Sequence, residues 1–549
     1  MAKKPIYIFI SGGVISGLGK GITAASVSLL LKSAGFKVAP IKCDAYINID
    51  AGTIRPQEHG EVFVCDDGIE TDQDLGHYER FLDISLSRVN YLTTGQVYQE
   101  VIRKERAFEY NGEDVEVVPY VPEEMIRRFK LAGEKSKADF VIIEIGGTVG
   151  EYQNVLFIEA NRILKLREKE GVLHLHVAYL PTPPSIGEMK SKPVQTSVRI
   201  LNETGIQPDF IVGRSEKPMD DRRKDRLAFF CNIEKENIIS NPDLDFVYEL
   251  PLVLEEQGLA EKILKKSGLK PKENADLKDW RKMVKKVKEI ESKGKPLKIG
   301  MVGKYQKVGD YLLSDSYVSV VEAIKHACWH LGRKPEIVWV ESELLEKGKK
   351  PEEILNDLAA VIIPGGFGSR GTQGMIKAIS WTREKKIPYL GLCYGMQMAT
   401  IEIARNLLGL KLANTIENDP KTPCPVIRLM SEQEKKMLAR DYGGTMRLGS
   451  WPCRLQEGTI SADCYQQKII YERHRHRFEF NNQYREAFEK AGIVVAGTTT
   501  DNKIVEIIEL PKDKHPYFVG VQFHPEFQSR FLKPHPLFLG LIRSAILEK

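Results

Sequence analysis

The segment Gly391-Leu392-Cys393-Tyr394-Gly395 follows a short apolar run, Ile387 to Leu392, and precedes a segment with helical periodicity, Met396 to Ile403. This order predicts a strand, a tight turn and a helix, which is the arrangement of a nucleophile elbow. The two glycines allow the turn to close while the cysteine occupies a strained backbone position. The sequence therefore predicts an α/β domain with Cys393 as a nucleophile at the carboxyl end of a strand.

A thiol nucleophile needs a base and donors for the charge that develops on the attacked carbonyl. His524 can supply the base, and Glu526, two residues later, can orient the imidazole and stabilise its charged form. The loop Pro364 to Gly368 follows the predicted strand Ala360 to Ile363 and offers backbone N–H donors. A buried cysteine is usually structural, but these three parts together favour catalysis by Cys393, His524 and Glu526.

A glycine-rich segment, Ser11 to Ile22, follows the first predicted strand and begins the first long helix. Its backbone N–H groups and the helix N-terminus favour a phosphate, and Lys20 supplies a positive charge. A strict P-loop places Ser or Thr after the lysine to bind Mg²⁺, whereas Gly21 stands here. The metal then needs other oxygens, and Asp74 and Glu144 are the predicted Mg²⁺ ligands.

The composition is that of a soluble globular protein of 549 residues, with 42% hydrophobic and 28% charged residues. This length predicts two or three domains. A net charge of +5 favours anionic small molecules over a nucleic-acid surface. The eight cysteines lack Cys-x-x-Cys spacing, which fits a reducing cytosol. No run approaches the roughly 20 apolar residues of a membrane helix, so a cytoplasmic protein without a membrane or nucleic-acid partner is expected.

Two blocks of alternating β-rich and helical segments are typical of open, mostly parallel α/β sheets. They predict one domain over residues 1–269 and another over 298–549. Residues 270–297 are rich in Lys, Glu and Asp and are interpreted as a linker with an amphipathic helix, Lys278 to Ile290. A solvated helix face explains this basic run better than a nucleic-acid site does.

The elbow, the glycine loop and the His-Pro-Glu motif resemble the class I glutamine amidotransferases, which hydrolyse glutamine to glutamate and ammonia. Further segments resemble the CTP synthase family, and this resemblance runs nearly end to end. These segments are Ser11 to Ile22, Lys42 to Asp50, His59 to Val64, Leu75 to Phe81, Glu144 to Gly150, Lys190 to Gln195, Gly443 to Gly449 and Glu472 to Arg477. The resemblance implies a dethiobiotin synthetase-like P-loop domain followed by a flavodoxin-like amidotransferase domain.

The family uses ATP to phosphorylate O4 of UTP, adds ammonia at C4 and expels phosphate. Phosphorylation makes a poor leaving group a good one, and channelling from the glutaminase domain keeps ammonia unprotonated. The resemblance implies Mg²⁺ as cofactor, ATP, UTP, glutamine and CTP as ligands, and GTP as an allosteric activator. It also implies a homotetramer, while filament formation stays open.

The resemblance assigns roles residue by residue. ATP would be bound by Gly17, Leu18, Gly19, Lys20, Gly21, Ile22 and Asp74, and the transferring phosphoryl group would be stabilised by Lys20 and Lys42. UTP or CTP would be bound by Ser16, Glu151, Tyr152, Gln153, Lys190, Ser191, Lys192, Pro193, Val194, Gln195 and Arg226. Glutamine would be bound by Gly366, Tyr394, Gly395, Met396, Gln397, Glu417 and Arg477. His59 corresponds to a residue near the end of the ammonia passage.

Four places depart from the family's pattern. Glu151-Tyr152-Gln153 replaces Asp-Ile-Glu in a segment associated with CTP inhibition, so weak feedback is expected because an amide bonds less strongly than a carboxylate. Asn111 replaces an apolar residue over the ammonia route, which predicts looser coupling. Ala45 replaces a proline, which makes its loop less rigid. Tyr394 replaces an aliphatic residue, although its backbone N–H can still donate to an oxyanion.

Two alternatives remain open. An amidoligase of the cobyrinic acid a,c-diamide synthase kind has the same domain pair but amidates carboxylates, and the element at 190–195 is not expected there. A regulatory paralogue would bind nucleotide without turnover, which the intact set of candidate catalytic residues disfavours. His474 and His476 allow a metal-site interpretation, but a packed or solvated basic strand explains them better.

Overall fold

The computed structural model describes residues 4–273, 276–304, 307–308, 311–312, 314–430, 433 and 443–548. The chain forms two compact units, one of Met1–Asp50 and Asp74–Val284, the other of Ala51–Gln73 and Lys285–Lys549. This division differs from the predicted domains in two ways: residues 51–73 belong to the second unit, and the predicted linker 270–297 is divided between the two units after Val284. Within the described part, no helix is long and apolar enough to cross a membrane.

The first unit is built on a seven-stranded sheet whose paired strands are all parallel. In chain order the strands are β1 (Ile6–Gly13), β2 (Val38–Asp44), β3 (Tyr91–Thr93), β4 (Phe140–Ile145), β5 (Val172–Tyr179), β6 (Phe210–Ser215) and β7 (Ile238–Pro242). Their order across the sheet is β3-β2-β4-β1-β5-β6-β7. Burial on both faces explains why most residues of β1 and β4 are apolar. The predicted parallel sheet is confirmed.

Helices connect the parallel strands, as crossover connections require. Those of the first unit are Lys20–Ser33, Asp74–Leu82, Thr94–Arg106, Val117–Lys135, Val155–Glu168, Lys192–Glu203, Asp221–Cys231, Leu250–Glu256 and Leu259–Lys266. The charged segment contains the helix Lys278–Lys293, three residues longer than predicted at its C-terminal end. Its Trp280 is buried, so one face of this helix is packed.

The second unit contains a nine-stranded mixed sheet. Its strands are β8 (Pro296–Gly303), β9 (Lys334–Glu341), β10 (Ala360–Ile363), β11 (Tyr389–Leu392), β12 (Arg447–Leu455), β13 (Ile469–His476), β14 (Val494–Thr499), β15 (Val505–Glu509) and β16 (Phe518–Val521). The order across the sheet is β9-β8-β10-β11-β16-β15-β14-β12-β13. The first five strands in this order pair in parallel, and each later pair is antiparallel. Alternate residues of β10 enter two separate apolar cores, so both faces of the sheet are covered.

Helices and three small sheets complete the described part of the second unit. The helices are Pro56–His59, Val318–His330, Ser342–Glu346, Pro351–Leu355, Thr372–Glu384, Tyr394–Asn406, Ile460–Tyr465, Arg485–Lys490 and Pro536–Leu547. Small sheets pair Phe63–Val64 with Glu70–Thr71, Lys307–Val308 with Tyr311–Leu312, and Cys424–Leu429 with Ala413–Thr415 and Phe478–Phe480.

Residues 51–73 are fixed to the rest of the second unit by ion pairs. The guanidinium of Arg473 lies 2.5 Å from Asp66, and that of Arg475 lies 2.8 Å from Glu70. Arg473 is completely buried, and a buried charge needs such a partner. These contacts explain why a segment so early in the chain belongs to the second unit.

Candidate functional site

Cys393 lies between β11 and the helix Tyr394–Asn406, with a φ of +50°. A residue other than glycine rarely adopts a positive φ, and such strained residues concentrate at functional sites. A Cβ atom on Gly391 would lie 2.5 Å from the hydroxyl oxygen of Tyr389, and one on Gly395 would lie 2.2 Å from the carbonyl oxygen of Ile363. Both glycines are therefore required, and the chain forms the predicted strand, turn and helix.

Three adjacent parallel strands bring the candidate catalytic groups together. β11 ends at Cys393, its neighbour β16 ends shortly before His524, and its other neighbour β10 ends at the loop Pro364 to Gly368. A Cβ atom on Gly365 would lie 2.7 Å from Cε1 of His524. The loop therefore lies directly against the imidazole, and only glycine fits there.

The imidazole of His524 is held on one side by a carboxylate. Its Nδ1 lies 2.7 Å from Oε1 of Glu526, and its ring stacks on Phe527 with centroids 5.1 Å apart. Among the described residues none hydrogen-bonds the buried Nε2, the nitrogen that would exchange a proton with a thiol. Burial lowers the pKa of His524, but Glu526 and Cys393 outweigh it and raise the pKa to about 10. An imidazolium stabilises a neighbouring thiolate.

A cavity of about 550 Å³ contains this group. Of the predicted residues, Gly366, Cys393, Arg477, His524 and Glu526 line it. The side chain of Arg477 donates to Gln433 at 3.0 Å and to Thr445 at 2.9 Å. These two hydrogen bonds hold a positive charge at the cavity that Cys393 also lines.

The other residues predicted to bind glutamine do not line this cavity; they are Tyr394, Gly395, Met396, Gln397 and Glu417. Gln397 donates to the carbonyl of Phe478 at 3.2 Å, and Glu417 accepts from the backbone N–H of Gly368 at 2.6 Å. Burial raises the pKa of Glu417, although the Gly368 N–H and Lys304 oppose it. The carboxylate of Glu417 therefore contacts the backbone of the predicted oxyanion loop at Gly368.

Sequence reasoning missed several residues of the cavity. Arg475, Phe527 and Glu61 line it. Arg475 stands two residues before Arg477, so strand alternation, which places both on one face, was the available signal. Glu61 had no such signal.

His59 does not line the cavity, and its Nε2 lies 2.8 Å from Asp72. The neighbouring residues Ile54, Pro56 and Val62 do line it.

The two histidines of β13 are packed inside the second unit. His474 and His476 are 0% and 1% exposed and lie 3.0 Å apart, ring nitrogen to ring nitrogen. Burial lowers the pKa of each well below its ordinary value. This agrees with a packed strand and gives no support to a metal site.

In the first unit, two carboxylates meet at the start of the helix Lys20–Ser33. A Cβ atom on Gly21 would lie 2.3 Å from Oδ1 of Asp74 and 3.4 Å from Oε2 of Glu144. In a strict P-loop, the hydroxyl of a serine or threonine after the lysine would occupy this space. Here the carboxylates of Asp74 and Glu144 occupy it. This explains physically why the residue after Lys20 is glycine.

The same two carboxylates form ion pairs with the side-chain ammonium of Lys42. Lys42 pairs with Glu144 in the register of β2 and β4, and its Nζ lies 3.2 Å from Glu144 and 2.5 Å from Asp74. Burial would raise the pKa of Asp74, but Lys42 holds it below its ordinary value, whereas burial raises the pKa of Glu144. Paired, desolvated carboxylates beside a phosphate loop are a donor set that suits Mg²⁺.

Lys20 is folded back over the end of β1. Its Nζ donates to the carbonyl of Gly147 at 2.8 Å, and a Cβ on Gly12 would lie 2.9 Å from that Nζ. Burial lowers the pKa of Lys20, and Glu144 opposes this. Gly17 and Gly19 have positive φ angles of 72° and 78°, as a loop that turns its N–H groups outward requires.

The residues predicted for the uridine and cytidine nucleotides fall into two groups. In one, Glu151 accepts from the backbone N–H of Thr148 at 3.1 Å, while Tyr152 and Gln153 are exposed. In the other, Lys192 and Gln195 line a groove of about 220 Å³. Among the described residues, no hydrogen bond or ion pair joins the two groups, and their shared role in nucleotide binding stays a prediction.

Comparison with known proteins gives matches over both units. Residues 6–269 match the family model described as CTP synthase N-terminus, and residues 312–544 match Glutamine amidotransferase class-I. A CTP synthase of Prochlorococcus marinus (strain MIT 9312) is 48% identical over 540 residues, 98% of each chain. A CTP synthase of Caldanaerobacter subterraneus is 48% identical over 541 residues, again 98% of each.

Among solved structures, the glutaminase domain of Trypanosoma brucei CTPS with bound acivicin is 33% identical. That match covers 46% of this chain and 94% of that domain, with a TM-score of 0.41. The full-length matches agree with the predicted resemblance in both halves. The chain belongs to the CTP synthase family, whose members are glutamine-hydrolysing ligases.

Proposed function

We propose that this chain performs the family's reaction, ATP-dependent amination of UTP to CTP, with the residues described above. The first unit would transfer a phosphoryl group from ATP to O4 of UTP and then replace it with ammonia at C4. The second unit would release that ammonia from glutamine. The convergence of Asp74 and Glu144 at Gly21 supports this proposal most directly, because it provides the oxygens that the altered P-loop lacks.

In the first unit, the turn at Gly17 to Ile22 would bind the phosphates of ATP through its N–H groups. Lys20 and Lys42 lie at this end of the sheet and would stabilise the charge on the transferring phosphoryl group. Asp74 and Glu144 would hold Mg²⁺, which would offset the negative charge of the phosphates.

In the second unit, Sγ of Cys393 would attack the amide carbon of glutamine and form a thioester. His524, protonated and oriented by Glu526, would give its proton to the departing ammonia and then activate water for hydrolysis. Arg477 would bind the substrate carboxylate. The apolar lining at Ile54, Pro56 and Val62 fits the removal of neutral ammonia.

This proposal is tested by incubating the protein with ATP, UTP and an ammonium salt while following the absorbance of the cytosine ring. CTP should form, and glutamine should replace ammonium. Formation of ADP without CTP, or amidation of a carboxylate substrate instead, would refute it.

The same assay with Mg²⁺ omitted tests the metal, and added GTP tests activation of the glutamine-dependent rate. Sedimentation with and without nucleotide tests the proposed homotetramer, and cell fractionation tests the cytoplasmic location.

Replacing Gly21 by serine would restore the residue type of a strict P-loop, yet we expect it to abolish CTP formation. The added Cβ would lie 2.3 Å from Oδ1 of Asp74, which forces that carboxylate away from the phosphate loop. The measurement is ammonia-dependent CTP formation, with glutaminase activity of the second unit as the internal control. Full activity of Gly21→Ser would show that Asp74 does not act at this point.

Inhibition by CTP should be weak, and Gln153→Glu should strengthen it. Gln153 is exposed in this chain, and a carboxylate there would form a charge-assisted hydrogen bond with a ribose hydroxyl. Such a bond contributes roughly 1.5–3 kcal/mol, about tenfold or more in affinity. The inhibition constant for CTP is compared between the two proteins, with the KM for UTP expected to change little. An unchanged inhibition constant would remove Gln153 from the regulatory site.

A further inference from the structure

The side chain of Tyr394 is buried against the loop that carries the candidate oxyanion donors, being 1% exposed. Its hydroxyl donates to the carbonyl oxygen of Gly368 at 2.7 Å. The hydroxyl oxygen of Tyr394 also lies 3.2 Å from Oγ1 of Thr372 and accepts from Nδ2 of Asn418 at 3.3 Å. Because Tyr394 directly follows the nucleophile, a single residue joins the elbow to the loop.

Lys304 reaches the same loop from the end of β8. Its Nζ lies 4.0 Å from the centroid of the Tyr394 ring, donates to the carbonyl of Phe367 at 3.1 Å and also donates to the carbonyl of Gly368. Lys304 is only 7% exposed. A desolvated ammonium above an aromatic ring and between two carbonyls interacts more strongly than it would in water.

The peptide group between Phe367 and Gly368 is held at both of its polar atoms. Its carbonyl oxygen accepts from Lys304, and its N–H donates to Oε1 of Glu417 at 2.6 Å. A peptide plane bound on both sides cannot rotate freely. The preceding N–H groups of this loop, at the cavity that contains Cys393, are thereby held in one orientation.

We propose that Tyr394 and Lys304 are positioning residues of the glutaminase site, which hold the loop Pro364 to Gly368 at a fixed distance from the nucleophile elbow. This inference rests on the function proposed above for Cys393 and adds the side chains that keep its oxyanion donors in place. Donors contribute to rate only when they are already oriented as charge develops. Loss of either side chain should therefore slow turnover without weakening substrate binding.

The charge on Lys304 makes this arrangement sensitive to pH. Burial, with a smaller contribution from Arg370, lowers the pKa of Lys304 to about 8, while Glu417 and Glu346 oppose the shift. Below that pH the ammonium holds both carbonyls, and above it the charge is lost. Glutaminase activity should therefore fall as pH rises through about 8, well before His524, with a pKa of about 10, loses its proton.

The test uses the full-length protein and two substitutions. Tyr394→Phe removes only the hydroxyl, and Lys304→Met removes the charge but keeps a stem of similar length. We expect kcat for glutamine hydrolysis to fall about threefold to tenfold in Tyr394→Phe, and further in Lys304→Met. The KM for glutamine, ammonia-dependent CTP formation and the rate at which iodoacetamide alkylates Cys393 should not change.

The pH profile separates positioning from a general structural role. The decline near pH 8 should disappear in Lys304→Met, and also in Lys304→Arg, which retains its charge and should keep more activity. The amino group of glutamine titrates equally in every variant, so only the difference between profiles counts. Tyr517→Phe is the matched control, because that buried hydroxyl donates to the carbonyl of Leu537 at 2.7 Å, in the same unit but outside the cavity.

Wild-type kcat and pH profile in both Tyr394→Phe and Lys304→Met would overturn the proposal. Parallel loss of glutaminase, alkylation and ammonia-dependent synthesis would also overturn it, since that pattern reports general loss of structure. A wild-type protein that cannot hydrolyse glutamine would instead refute the function proposed for Cys393, and this inference with it.

Discussion

Cys393→Ala is expected to abolish glutamine-dependent CTP formation and to leave ammonia-dependent formation largely intact. The thiol would form the covalent bond to glutamine, and removing such a nucleophile costs a factor of about 10⁴ or more. The phosphate site belongs to the other unit, so its chemistry should not need Cys393. Both rates are measured on the same preparation, with saturating ammonium at a pH that supplies free ammonia.

Cys464→Ala provides the matched control for this experiment. Cys464 is a half-buried free thiol of the second unit and does not line the cavity that contains His524. Its removal should leave both nitrogen sources usable. If Cys393→Ala lost both activities while remaining folded, the proposed separation of the two chemistries would be wrong.

Much of the fold was predictable because its signals are local. The runs that form β1 and β4 are short and mostly apolar, which is what a parallel sheet buried on both faces requires. The elbow at Cys393 was equally visible, since two glycines around a cysteine encode its turn directly. As a CTP synthase-family ligase, the chain also has the predicted order of its two matched regions.

Other features depend on contacts that no local pattern encodes. Asp66 and Arg473 are 407 positions apart, and neither periodicity nor composition indicates that they pair. The predicted first domain consequently included 51–73, which the structure places in the second unit. Lys304 is a single lysine after a strand, and no local pattern indicates its contact with the Tyr394 ring, which depends on β8 and β11 belonging to one sheet.

The glycine after Lys20 shows a third kind of limit. Sequence comparison with a strict P-loop identified a missing hydroxyl and suggested acidic substitutes, but it did not explain the glycine. The structure does, because Asp74 and Glu144 occupy the space that a side chain would need. Gly21 departs from the strict P-loop motif because the two carboxylates predicted to replace the missing hydroxyl leave no room for a side chain.

Lys20→Ala should remove CTP formation with either nitrogen source while basal glutaminase activity remains measurable. Lys20 is the only charged residue between Ser11 and Ile22, so the developing phosphoryl charge has no equivalent partner in that loop. Loss of one such preorganised donor costs about 10²–10³ in rate. Folding should be retained, because burial lowers the pKa of Lys20, and alanine removes the cost of burying this charge.

The control is Lys4→Ala, which removes a lysine of the same unit that is paired on the surface with Glu168 at 2.8 Å. That pair contributes little to stability because water screens it, so Lys4→Ala should synthesise CTP normally. Lys20→Arg should be impaired less than Lys20→Ala, since it keeps the charge in a different shape. Thermal unfolding of all three proteins establishes that each is folded at the assay temperature. Near-normal ammonia-dependent turnover in Lys20→Ala would then mean that the glycine-rich turn does not bind the phosphates of ATP.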